Sequence, residues 1–237
     1  MKEQKLHDYL QERLYKPIRR KRFLRSIAVA GGSFMLGLTA CRKEGQPGSG
    51  VIDVGSADIG ILNFAYALEQ IEAAFYTKAN ASYYHNAPLS EKQVLFDIMH
   101  HEVAHRDFLK AALGSNAIGD LQFDFSSVDF TTRDSVLKTS KALEDTGVSA
   151  YNGVGPLLQS ADYLKIAAKI VSVEARHAAA IRDILNPRSA DFAGDDVVDP
   201  ATGLDFSRTP NSTTGGQSIV AIANSYLLTK ISASKLP

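Results

Sequence analysis

Apolar side chains recur at helical spacing along four long stretches of the chain. The first, over residues 58–79, carries Ile61, Leu62, Ala65, Leu68, Ile71 and Phe75, with no proline to interrupt it. A loop from Asn80 to Leu89 contains Pro88, after which Ser90 and Gln93 stand at the spacing of a capping box and predict a second helix to about Leu113. Gly114-Ser115-Asn116 stops it, and residues 114–131 are irregular and long for a link between neighbouring antiparallel helices. A third helix is predicted from about Thr132 to Asn152, closed by Gly153, Gly155 and Pro156. The fourth runs from about Ala161 to Leu185, where Asn186-Pro187 ends it because a residue before proline avoids the α region. Residues 188–216 read as loop, and Ile219, Ile222, Ala223, Tyr226 and Leu227 suggest a short fifth helix. No alternating strand pattern of any length occurs. The expected fold is all-α, a four-helix bundle with a long crossover between helices two and three and a short C-terminal helix.

Each of the four stripes is interrupted by charge. The fourth helix presents Tyr163, Ala167, Ile170, Glu174, His177, Ile181 and Ile184, and the second presents Ile98, Glu102, His105, Leu109 and Ala112. Both place Glu-x-x-His in the middle of an apolar face, a spacing that puts the two side chains on one side of a helix. The first helix gives Leu62, Ala65, Glu69, Glu72 and Tyr76, and the third gives Leu137, Ser140, Glu144, Val148 and Tyr151. The order Glu…Tyr, then Glu-x-x-His, thus occurs twice, with 33 residues from Glu69 to Glu102 and 30 from Glu144 to Glu174. Four carboxylates converging on a bundle core would each cost several kcal/mol if left uncompensated. Two divalent cations cancel four negative charges, and four glutamates with two histidines offer enough oxygen and imidazole ligands for a dinuclear site with open positions.

With these stripes the chain resembles the ferritin-like superfamily, and looks closest to the bacterial exported ferritin-like domain family, which is similar to plant desiccation-related proteins. The wording that carries the likeness is Leu62-Asn63-Phe64-Ala65-Tyr66-Ala67-Leu68-Glu69-Gln70-Ile71-Glu72-Ala73-Ala74-Phe75-Tyr76, Ala142-Leu143-Glu144-Asp145-Thr146-Gly147 and Val173-Glu174-Ala175-Arg176-His177-Ala178. The resemblance spans about residues 58–186. It implies a pair of iron or manganese ions held by Glu69, Glu102, His105, Glu144, Glu174 and His177, with Glu102 and either Glu144 or Glu174 as bridges. Tyr76 and Tyr151 would orient carboxylates by hydrogen bonds, plain core packing of an aromatic being their other reading. Glu72 is assigned a supporting or a surface position.

Charge changes the picture at the amino end. Lys plus Arg equals Asp plus Glu, 26 each, which excludes a nucleic-acid binder with a large basic excess. The balance is uneven: residues 1–40 hold 9 basic and 3 acidic side chains, so the remainder holds 17 and 23. The basic run Arg19-Arg20-Lys21-Arg22-Phe23-Leu24-Arg25 precedes an uncharged stretch from Ser26 to Ala40 and then Cys41, the form of an export signal. Fifteen residues are too few to span a bilayer, for which about 20 are needed. Leu38-Thr39-Ala40-Cys41 resembles a bacterial lipobox, and Arg20-Lys21-Arg22-Phe23-Leu24 resembles a twin-arginine motif. Cys41, otherwise a small thiol with the usual buried fate, is followed by linker composition from Arg42 to Gly50, and so reads as a lipid attachment site. The chain then divides into an export signal over 1–40, a linker over 41–57, the bundle over 58–186 and an irregular extension over 187–237. With its one cysteine so used, the body holds no disulfide and no four-cysteine iron site.

His101-Glu102-Val103-Ala104-His105 is also the zinc-protease pattern, in which both histidines bind metal and the glutamate is general base. That reading leaves Glu69, Glu144, Glu174 and His177 unexplained, whereas the bundle reading makes His101 incidental, a rim residue beside Glu102. His7, His85 and His100 have no stripe position, and Asp195, Asp196 and Asp199 lack the spaced pattern of a calcium loop. The expected protein is an exported, lipid-anchored dimetal bundle facing the periplasm or cell surface, acting on Fe(II), dioxygen or peroxide. A homodimer fits this picture, and a non-catalytic bundle stapled by metal is the alternative.

Overall fold

The apolar periodicity and the helices coincide closely. In the computed structural model, which describes residues 50–213 and 216–237, α1 is Ala57–Ala81, α2 is Leu89–Leu113, α3 is Arg133–Val154, α4 is Ala161–Leu185 and α5 is Ile219–Ser225. The expected export signal, Cys41, His7 and most of the linker lie outside the described residues. Helix α1 packs most extensively on α2, and α3 on α4, while the two pairs close on each other around the charged stripes.

Helix starts differ from the capping expectation in one place. Pro88 occupies the N-cap of α2 and no side chain caps it, so Ser90 lies inside the first turn and Gln93 donates to Asp97 instead. Proline there fits the backbone, since the extended conformation at an N-cap is one it favours. The start of α4 is capped by Ser160, whose Oγ accepts from the Tyr163 amide, and α5 is capped by Ser218 in the same way. At the end of the α2 stripe Leu113 is buried and Ala112 exposed, the reverse of the predicted last position, because 3.6-residue periodicity drifts over six turns.

Helix α1 is buried nearly all round, which no amphipathic stripe foretells. Its inner face meets the bundle. Its outer face is covered by the crossover and the C-terminal extension, which bury Leu121, Phe125 and Val128 from the first and Ile219, Ala223, Leu227 and Ile231 from the second. Polar side chains off the stripe tie the cover down: Asn63 accepts from the Ile118 amide, and Gln70 accepts from that of Leu121. Among the described residues four two-residue strands form despite the absence of any strand pattern: β1 (Ile52–Asp53) pairs in parallel with β4 (Ile231–Ser232), and β2 (Val198–Asp199) pairs antiparallel with β3 (Leu204–Asp205). Residues 52–54, expected as the end of a linker, are therefore part of the fold, with Val54 in the core. Gly153 permits the closest approach, since a Cβ there would run into the backbone of Arg208, whose amide donates to Ser149 O at 2.9 Å. No helix among the described residues is long and apolar enough to cross a membrane.

Candidate metal centre

All six predicted ligands converge in the middle of the bundle. Glu69, Glu102, Glu144 and Glu174 are fully buried, and His177 is 5% exposed. They form two overlapping groups of potential ligand atoms, Glu69, Glu102, His105 and Glu174 in one, and Glu102, Glu144, Glu174 and His177 in the other. Around His105 Nδ1 lie Glu174 Oε1 at 2.8 Å, Glu102 Oε2 at 3.2 Å and Glu69 Oε2 at 3.4 Å. Around His177 Nδ1 lie Glu102 Oε1 at 2.8 Å, Glu144 Oε2 at 3.4 Å and Glu174 Oε2 at 3.5 Å. Glu102 and Glu174 each send one oxygen to each group. They are the two carboxylates common to both groups, and Glu144, the other candidate, belongs to one group only.

The fit to cations rests on orphaned atoms. Glu69 Oε2, Glu102 Oε1, Glu144 Oε2, both oxygens of Glu174 and His177 Nδ1 are buried without an aligned hydrogen bond. Buried polar atoms are seldom left so, and six in one cluster, all on the six-residue set, fit positively charged partners such as metal ions. Carboxylate oxygens with imidazole nitrogen form a donor set for iron, manganese or zinc.

The outer oxygens are satisfied by crosswise hydrogen bonds. Tyr76 on α1 donates to Glu144 Oε1 on α3 at 2.5 Å, and Tyr151 on α3 donates to Glu69 Oε1 on α1 at 2.6 Å. Burial first, and then the adjoining glutamate, push both phenols well above their ordinary range, so they stay protonated donors. Each tyrosine thereby fixes which oxygen of its glutamate faces the cluster.

Two residues take places that the stripes alone leave open. His101, expected as an incidental rim residue, lies with Nδ1 2.8 Å from His177 Nε2, the rings stacked 5.1 Å apart. When Nδ1 of His177 faces a metal its proton sits on Nε2 and is donated to His101, which fixes that tautomer. His101 belongs to neither ligand group, so the helix does not present two histidines to one ion as a zinc protease requires. Glu72 is 3% exposed, which removes the surface reading; it stands inside the bundle near the four ligand carboxylates. For Glu72 no polar outer face marks the place along the sequence, because α1 is buried nearly all round.

Without metal the cluster holds protons in place of ions. Burial, and then repulsion from neighbouring carboxylates, raise Glu69 and Glu72 well above the usual range, and burial lifts Glu144 to about 8. Burial opposes charge on His105 and His177 too, but the surrounding glutamates outweigh it and raise both to about 12; burial of Glu102 is likewise outweighed by the two histidines, which hold it at about 2. For the raised groups the folded state keeps protons that the unfolded chain releases. Their stabilisation is complete below the ordinary values of 4.5 and 6.5 and is lost as pH rises towards the folded ones. Glu102 acts oppositely, only below 4.5. The melting temperature of chelator-treated protein should therefore fall between pH 5 and 8. Metal displaces the protons, so its affinity should climb over the same range, and melts with and without metal at three pH values check both slopes.

Residues 57–187 match the model of the ferritin-like domain family, a span that contains all four long helices and all six cluster residues. No curated protein matches the chain.

Proposed function

The chain belongs to the ferritin-like domain family, and from that premise we propose that its buried cluster is a dinuclear iron or manganese centre that oxidises Fe(II) or consumes dioxygen or peroxide. The observation that carries the reading is the sharing of Glu102 and Glu174 between two ligand groups, one oxygen to each. Bound there, two ions would supply the paired electron changes that reduction of peroxide requires. The chain's own residues set the conditions. Helices α1 to α4 exclude water from the carboxylates, Tyr76 and Tyr151 hold Glu144 and Glu69 in place, and His101 keeps His177 in one tautomer. A lone ferroxidase or peroxidase subunit fits a tethered chain better than mineral storage does, since storage needs a closed shell of subunits.

Anaerobic protein loaded with Fe(II) should react with dioxygen or peroxide at least tenfold faster than free Fe(II), with a transient charge-transfer absorption. Glu69→Ala should lose the fast phase. Metal that binds but reacts no faster than the free ion would leave the metal a structural staple instead.

The proposal extends to location. The basic leader, the uncharged stretch before Cys41 and the linker composition after it support export with Cys41 acylated, leaving the bundle tethered to a bacterial membrane on its periplasmic or outer side. Labelled fatty acid should enter the wild type and be absent from Cys41→Ser; equal labelling rejects the anchor.

A further inference from the structure

Glu72 is the one carboxylate of the charged stripes that joins no ligand group. It accepts no hydrogen bond and forms no ion pair among the described residues, although it is almost wholly buried. Its carboxylate faces a narrow cleft of about 10 Å³, room for one small molecule, between α1, α3 and α5. Ile71, Leu143 and Ile222 make the walls apolar, and Thr146, the other polar side chain there, spends its hydroxyl on Ala142 O at 2.6 Å. Gly147 forms part of the same wall, and the absence of a side chain at that position makes the room. A Cβ on it would stand 3.3 Å from Glu72 Oε1 and 3.9 Å from Glu174 Cγ. The inner end of the cleft is thus one side chain away from a bridging carboxylate.

An unpartnered carboxyl at the end of a narrow apolar cleft suits neither a hydrated cation, which would be stripped of water by the walls, nor a large substrate. We propose that this cleft is the path by which a small uncharged oxidant, dioxygen or hydrogen peroxide, reaches the metal centre, with Glu72 as the polar group at its inner end. The inference rests on the oxidant-consuming reading of the centre. It assigns α5, which lies outside the matched family span, a role at the site: Ile222 forms the outer lip.

Two narrowing variants test it from opposite walls. Ile222→Trp fills the lip, and Gly147→Ala intrudes at the inner end while favouring the α3 helix. Both should keep two metals per chain and melt no lower than the wild type. Both should slow oxidation of the Fe(II)-loaded protein by peroxide at least tenfold, through the dependence on peroxide concentration. Ferricyanide, which takes electrons without entering, should react with all three proteins at equal rates. Crystals of the full chain under xenon pressure should show xenon beside Ile71 and Leu143 in the wild type and none in Ile222→Trp, a readout independent of metal. Wild-type peroxide rates in both variants, equal slowing towards ferricyanide, or a cleft without xenon would overturn the route. A wild type that takes up no metal would fail before any variant is compared, and would reject the metal reading together with the route built on it.

Discussion

Glu174→Ala should empty both positions of the proposed dinuclear centre. Glu174 Oε1 lies beside His105 and Oε2 beside His177, so one truncation removes a donor from both ligand groups. Glu69→Ala and Glu144→Ala should behave differently, because each belongs to one group and leaves the four residues of the other intact. The expected stoichiometries are two for the wild type, one for either terminal variant and none for Glu174→Ala. The stability effect depends on metal. At about one hundred times Kd, each bound ion contributes ~2.7 kcal/mol by mass action, so the loss of both amounts to ~5 kcal/mol in metal-containing buffer. In chelator the same substitution should cost far less, because it removes two orphaned oxygens and a share of the repulsion that keeps the cluster protonated. Metal analysis with paired melts reads both. Full occupancy in Glu174→Ala, or both ions lost from Glu69→Ala, would refute the shared-carboxylate arrangement.

Arg182→Met should cost ~3 kcal/mol, close to 10 °C in Tm, whether metal is present or not. The guanidinium is buried on α4; it donates to Asp145 Oδ2 on α3 at 2.6 Å and to Asp145 Oδ1 at 3.3 Å, and it also pairs with Asp196 of the extension. Burial opposes its charge, yet the two aspartates outweigh that and raise it further. Removing it leaves the largely buried Asp145 facing only Lys141, whose Nζ is 3.4 Å away. The exposed Asp196 contributes little of the loss. Asp145→Asn combined with Arg182→Met should recover part of the stability, since the stranded charge is then gone. A single-variant cost below about 1 kcal/mol in denaturant melts would mean that this pair does not hold α4 against α3.

The four helices were legible because helical periodicity is local. Ile61 to Phe75, or Tyr163 to Ile184, encode their own burial at steps of three and four, and the boundaries fall within two residues of those predicted. The six ligands were legible for the same reason: a glutamate in an apolar stripe is a conflict visible in one dimension, and its repetition in the order Glu…Tyr, Glu-x-x-His marks a shared core. Capping was less so, because Ser90 and Gln93 satisfy the pattern while Pro88 fixes the actual start of α2. What remained open depends on how separate elements stand against one another. That Glu174 rather than Glu144 is shared between the two groups follows from how α4 stands against α2, which places Glu174 between the two histidines. The hydrogen bond between His177 and His101 needs α2 and α4 in contact, and the same five-residue motif on an isolated helix reads as a zinc site. Glu72 sits one turn from Glu69 on the same stripe; that it is buried beside the cluster yet joins neither ligand group follows from how α3 and α5 pack against α1. The sequence by itself determined which side chains must leave water and which charges must meet. Only the tertiary structure decided which carboxylate is shared, which histidine supports and which glutamate is left without a partner, because those outcomes are set by distances between helices that no single stripe contains.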